Sequence, residues 1–376
     1  MKKKKIVALF LLLTLSFGNA SAQTVPDQKE TLKTTMLVND YFMKKYADCT
    51  TPTYVGRLRS SNLWTRAVYY EGLMELHKIY PREDYYNYAY TWASFHKWSP
   101  RTEITTRNAD DQCCGQTYID LYNICPSPEK IKNIKITMDM LVNTPQNDDW
   151  SWIDAIQMGM PILAKLGNTY KEQKYFNKMW DMYSYSRNKH GVNGLYNAKE
   201  GLWWRDKDFV PPYKEPNGAN CYWSRGNGWV YAALVRVMNE IPTNETHLQD
   251  YMNDFLAMSK ALKKCQREDG FWNASLLDPS NFGGKETSGT SLFVYGMAWG
   301  VNNGYLNRAE YLPIVVKAWN AMVKDAVHPN GFLGYVQGTG KEPKDGQPVT
   351  YDHAPDFEDY GIGCFILAGT EVYKLK

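Results

Sequence analysis

A lone acid inside an apolar run is the first pattern in this chain that can do chemistry. Trp150-Ser151-Trp152-Ile153-Asp154-Ala155-Ile156-Gln157-Met158 leads into Pro161-Ile162-Leu163-Ala164, and Asp154 interrupts an aromatic and aliphatic helix. An ionised carboxylate is costly there unless it is paired or hydrogen-bonded. Desolvation raises its pKa and lets it hold a proton near neutrality, as a general acid requires. The competing reading is an Asp in the first helical turn, bonded to backbone amides.

A second acidic pair, Asp110-Asp111, opens Gln112-Cys113-Cys114-Gly115-Gln116-Thr117-Tyr118. One of the two is expected as an N-cap, since Asp favours that position and the helix dipole welcomes negative charge. The other is expected to face the site, binding a hydroxyl or tuning Asp154; two plain helix-start residues is the alternative. In Trp223-Ser224-Arg225-Gly226-Asn227-Gly228-Trp229, two rings flank a guanidinium, which suits a planar carboxylate gripped bidentately and stacked. A buried Arg–Asp pair among core tryptophans is the bland reading. Gly201-Leu202-Trp203-Trp204-Arg205-Asp206 is either a rim contact or a Trp-packed hairpin, and Glu286-Thr287-Ser288-Gly289-Thr290-Ser291 either a floor contact or a helix cap.

Other chemistries have no support in the sequence. There is no Gly-x-Ser-x-Gly elbow, no phosphate loop ending in Lys-Ser/Thr and no His-Glu-x-x-His helix. The histidines, His77, His96, His190, His247, His328 and His353, lack ligand spacing, so no metal is expected.

The elements that must position these residues are helical. Apolar residues recur three and four apart in about twelve windows, starting near Lys29, Ser61, Arg82, Asp111, Pro128, Trp150, Lys171, Ser224, His247, Thr287, Arg308 and Phe357. Ser127-Pro128-Glu129 reads as cap, first turn and acidic N-terminus. Longer excursions run over 189–222, 268–286 and 328–356, with room for short strands but no strand–helix alternation. Twelve helices in six antiparallel hairpins predict an all-α toroid, an (α/α)6 barrel, with function where the loops of one end meet the inner helices.

Composition narrows the class further. Lys2 to Lys5, the apolar run from Ile6 to Phe17 and the exit Ala20-Ser21-Ala22 read as a secretory leader over 1–22, predicting an exported protein, periplasmic or secreted, with one catalytic domain over 23–376. Loss of the four lysines takes the 43 basic side chains to 39 against 40 acidic ones, a balance unlike that of a nucleic-acid binder. No later stretch approaches the roughly 20 apolar residues that span a bilayer. Seven cysteines are too sparse for a disulfide scaffold. The 13 Trp and 28 Tyr suit a cleft that stacks against sugar faces, although a large core also uses aromatics.

These stretches, with Glu371-Val372-Tyr373-Lys374, stand in the order and near the spacing found in one family. From about residue 60 to the end the chain resembles the unsaturated rhamnogalacturonyl hydrolases, glycoside hydrolase family 105, relatives of the family 88 unsaturated glucuronyl hydrolases. The resemblance implies an (α/α)6 barrel, no cofactor, and an oligosaccharide substrate left by a polysaccharide lyase, whose non-reducing end is a 4,5-unsaturated uronic acid. In that chemistry an aspartate protonates C4 of the vinyl ether, water adds at C5, and the hemiketal collapses.

Carried over by position, the resemblance implies Asp154 as general acid/base and Asp110 as the second acid. It also implies Trp152, Trp223 and Trp229 as stacking walls and Arg225 as partner of the substrate carboxylate; from the acidic pair itself, Asp111 is expected as a further substrate contact. Many relatives have a His near Trp204-Arg205-Asp206, so Arg205 stands in for its polar contact and adds positive charge beside an anionic sugar. Galacturonic acid on rhamnose, from pectin, is the default substrate. The alternatives are an unsaturated glucuronyl hydrolase, a conventional inverting glycosidase using Asp110 and Asp154, and a non-catalytic sugar-binding protein.

Overall fold

The computed structural model describes residues 24–376; the expected leader lies outside the described residues. The predicted windows appear as α1 (Gln28–Lys45), α2 (Trp64–Ile79), α3 (Glu83–Phe95), α4 (Ala109–Gln112) with α5 (Gly115–Ile124), α6 (Pro128–Val142), α7 (Asp154–Tyr170), α8 (Gln173–Asn188), α9 (Ser224–Met238), α10 (Leu248–Lys264), α11 (Thr287–Asn302), α12 (Arg308–Asp325) and α13 (Asp359–Tyr373). The fourth window is divided at Cys113-Cys114, where the Gln116 N–H bonds three residues back to the Cys113 carbonyl and tightens the turn.

Helices α2, α5, α7, α9, α11 and α13 pack each on the next, and α13 returns to α2, closing a ring. Around it lie α1, α3, α6, α8, α10 and α12. Residue patterning explains the sorting. Every residue of α11 from Thr287 to Val301 is buried, as is every residue of α13 from Asp359 to Val372, so these helices tolerate neighbours on all sides. By contrast α10 buries Tyr251, Met252, Phe255, Met258 and Leu262, a single stripe that suits an outer position. The ring closes tightly where α2 meets α13: a Cβ on Gly363 would lie 2.3 Å from the Val68 carbonyl oxygen, so only glycine permits that approach.

Each outer helix returns the chain, so the six inner helices run the same way and their N-termini form one mouth. Two hairpins sit in the connections. Strands β1 (Thr53–Val55) and β2 (Arg57–Arg59) pair antiparallel ahead of α2; β3 (Tyr196–Asn197) and β4 (Leu202–Trp203) do so ahead of α9. The second realises the hairpin reading of the Gly201 stretch, while the first lies outside the excursions in which strands were expected.

Candidate active site

The mouth collects first-turn residues that are far apart in sequence. A cavity of about 180 Å3 is lined by Trp64, Asp110, Trp152, Asp154, Met158, Arg205, Thr339 and Gly340. Trp64 and Asp154 begin α2 and α7, and Asp110 lies in the single turn of α4. Asp154 is buried, with 8% of its surface exposed. Its Oδ2 accepts from Arg205 Nε at 3.2 Å, and Arg205 Nη1 donates to Asp206 Oδ2 at 2.7 Å. This loop is tied to the helix entrance by the Ile153 N–H on the Arg205 carbonyl (2.9 Å) and by a bridge between Trp152 and Asp206.

The two cavity acids share one electrostatic problem. Burial raises the pKa of Asp154, and the nearby Arg205 and Arg225 only partly offset it. Burial pushes the Asp110 carboxyl up to about 7, and the negative charge of Asp154 adds to the rise against the pull of Arg205. Like charges in one small cavity cannot both be held cheaply, so near neutrality the pair retains a proton. That is the state from which general acid catalysis starts.

Several residues fall elsewhere than the sequence reading put them. Neither Asp110 nor Asp111 caps the helix: the cap is Asn108, whose Oδ1 accepts from the Asp110 N–H at 2.9 Å. Asp110 faces the cavity. Asp111 does not, since Arg101 Nε (2.6 Å), Thr102 Oγ1 (2.8 Å) and Thr106 Oγ1 (3.2 Å) occupy its oxygens and anchor the preceding loop.

Arg225 is likewise not placed to meet a substrate carboxylate. It is wholly buried, and donates through Nη1 to the Gln337 carbonyl (2.8 Å) and through Nη2 to that of Gly338 (2.7 Å). Trp223 is buried behind it, its Nε1 donating to Gln337 Oε1 at 2.9 Å. The two residues pin the strap 337–340, whose Thr339 and Gly340 line the cavity. Trp229, also buried, stands edge-on to Trp64 at 6.1 Å and backs that wall rather than forming one.

Of the three tryptophans expected as walls, Trp152 alone lines the cavity; Trp64 is the other ring there. The local sequence marks Trp64 only as a helix start; its signal is an indole in the first turn of an inner helix, the position Asp154 holds on α7. Thr339 and Gly340 carried no local signal. Glu286 proves to be the cap of α11, accepting from the N–H groups of Ser288 (2.9 Å) and Gly289 (2.7 Å). Arg205 is left as the one basic side chain lining the cavity. Among the described residues, no three His, Cys, Asp or Glu side chains converge as metal ligands, and no helix is long and apolar enough to cross a membrane.

A closed ring of six helical hairpins with paired acids, one arginine and two indoles at the inner-helix N-termini defines a carbohydrate-active helical barrel. The chain belongs to Glycosyl Hydrolase Family 88, whose family model matches residues 35–376. The sequence resemblance named family 105 first; the matching model is that of family 88. An unsaturated 3S-rhamnoglycuronyl hydrolase of Formosa agariphila is 32% identical over 334 residues, 83% of this chain and 85% of the relative. A solved family 88 glycosyl hydrolase from Bacteroides vulgatus is 33% identical at a TM-score of 0.84, covering 93% of this chain and all of that one. A structure described as a polysaccharide lyase is 32% identical at a TM-score of 0.83, covering 92% of this chain and 97% of that one.

Proposed function

We propose that this glycoside hydrolase removes a 4,5-unsaturated uronic acid, linked to rhamnose, from the non-reducing end of oligosaccharides released by a polysaccharide lyase. The carrying observation is the cavity itself: about 180 Å3, room for one sugar ring, lined by Asp154 and Asp110, each with its pKa raised by burial, beside Arg205. Arg205 meets the uronate carboxylate, and Trp64 and Trp152 flank the ring. The relative's name, a rhamnoglycuronyl hydrolase, supports rhamnose as the next sugar.

In the reaction, protonated Asp154 gives its proton to C4 of the enol ether, and positive charge develops at C5 and the ring oxygen. Water adds at C5 and returns a proton to the carboxylate. The C5 hemiketal opens to a ketone, leaving C1 as a hemiacetal that releases the shortened saccharide. Asp110, ionised while Asp154 carries the pair's one proton, sets negative charge beside the positive charge that develops at C5.

The test is the ultraviolet absorbance of the conjugated C4=C5 bond on lyase-generated oligosaccharides. It should fall with wild type and persist with Asp154→Asn; equal loss in both removes Asp154 from the chemistry. A second reading comes from the neighbour described as a lyase. A carboxylate base and an arginine against the uronate also suit β-elimination, in which the C5 proton is taken and the C4 substituent leaves. The same assay separates the two, because elimination from a saturated chain makes absorbance rise. We propose export as well, with Gln23 as the mature N-terminus, to be read by mass spectrometry of the secreted or periplasmic protein.

A further inference from the structure

On the same mouth, a larger cavity of about 690 Å3 lies on the other side of the strap from the acid cavity. Its walls come from the end of α1, from the β1–β2 hairpin and from the 328–358 excursion. Asp356 joins the two spaces: it borders the larger one, and its Oδ2 accepts from the N–H of Thr339 at 2.7 Å and from the Thr339 hydroxyl, while Thr339 lines the acid cavity.

The larger cavity is preformed. Arg66, 1% exposed, holds the hairpin through Thr53 Oγ1 (3.0 Å) and α13 through Asp359 Oδ2 (3.1 Å). Glu358, 7% exposed, lies in its lining with one oxygen on Lys45 Nζ at 2.5 Å and the other on the Tyr41 hydroxyl at 3.3 Å. Phe332 stands edge-on to Tyr41 with centroids 5.8 Å apart, and Tyr54, 73% exposed, rises at the rim.

Its chemistry differs from that of the acid cavity. Three carboxylates, Asp352, Asp356 and Glu358, face one lysine and no arginine, so an anionic sugar is disfavoured. Rings that take C–H faces, with the exposed Asp352 carboxylate to accept a hydroxyl proton, together suit an uncharged saccharide. We infer that this cavity is a second saccharide site, taking uncharged sugar residues of the carbohydrate whose acidic end occupies the acid cavity. The identity of that carbohydrate rests on the function proposed above; the existence of the site does not.

The experiment is calorimetric or NMR titration of the full chain with a saturated rhamnotetraose, with free glucuronate as the anionic control, using wild type, Tyr54→Ala and Asp352→Asn. Both substitutions are at exposed positions. Rhamnotetraose should bind wild type and bind about fivefold more weakly to each variant, roughly the loss of one ring or hydroxyl contact. Turnover of an unsaturated disaccharide should be unchanged while KM for longer substrates rises by a similar factor. Absence of rhamnotetraose binding, or binding equal in all three proteins, overturns the site. Loss of binding in the variants without any turnover of unsaturated substrate by wild type upholds the site and overturns the proposed reaction instead.

Discussion

Asp110→Asn perturbs the shared proton while keeping the shape of the side chain. In the folded protein this carboxyl ionises at about 7 against an ordinary 3.8, so the folded state binds the proton more tightly than the unfolded chain. The sign follows: the stability associated with the proton is full below about pH 4 and is lost as pH rises toward 7, after which a buried charge persists as a fixed cost. At 1.36 kcal/mol per pH unit the gap is worth about 4 kcal/mol, and about 2 kcal/mol where water reaches the partly exposed group. Asn carries no charge, so the variant should match wild type near pH 4.5 and exceed it by about 2–4 kcal/mol near pH 8.5. A chain of about 350 ordered residues unfolds with roughly 0.7 kcal/mol/K of entropy, so Tm should rise by about 3–6 °C at the alkaline end alone. Near-ultraviolet circular dichroism melts across that pH range read it directly. A Tm difference that is the same at both ends, or a variant less stable at pH 8.5, refutes the assignment of a shared, burial-held proton.

Because burial raises the pKa of Asp154, activity should have an alkaline limb: the rate of absorbance loss should fall as that carboxyl ionises, and a rate flat to about pH 9 would show that the acid is elsewhere. Arg205→Lys keeps the charge but loses the planar fork, so KM should rise about 10–100-fold with a smaller change in kcat; an unchanged KM would assign the carboxylate to another group. Arg225→Met strips the donors from the Gln337 and Gly338 carbonyls, costing about 2–4 kcal/mol in urea unfolding and raising KM as the strap loosens. Gly363→Ala sets a methyl group against the Val68 backbone, which no rotamer relieves, and should lower stability by about 1–3 kcal/mol in the same measurement.

The pH and KM predictions turn on which side chains the fold presents to one cavity. The helices were legible because their signal is local: an inner helix such as α13 is apolar over most of its circumference and an outer one such as α10 is striped, and the predicted starts at Pro128, Ser224, Thr287 and Arg308 coincide with the observed ones. Asp154 was legible for the same reason, since a carboxylate in an apolar run advertises its own desolvation.

The partners of Asp154 were not legible. Arg225 and Arg205 each stand near a Trp in sequence, and nothing local tells an arginine spent on the carbonyls of a strap more than a hundred residues away from one that borders the acid. Trp223 and Trp229 read as walls and prove to be supports, while Trp64 reads as a helix start and proves to be a wall. Asp110 and Asp111 are adjacent and identical, yet one faces the cavity and the other the Arg101 loop, because successive helical residues point about 100° apart. Residue type fixed what chemistry was available; ring closure, which brings residues from 64 to 340 around about 180 Å3, decided which of them share a proton.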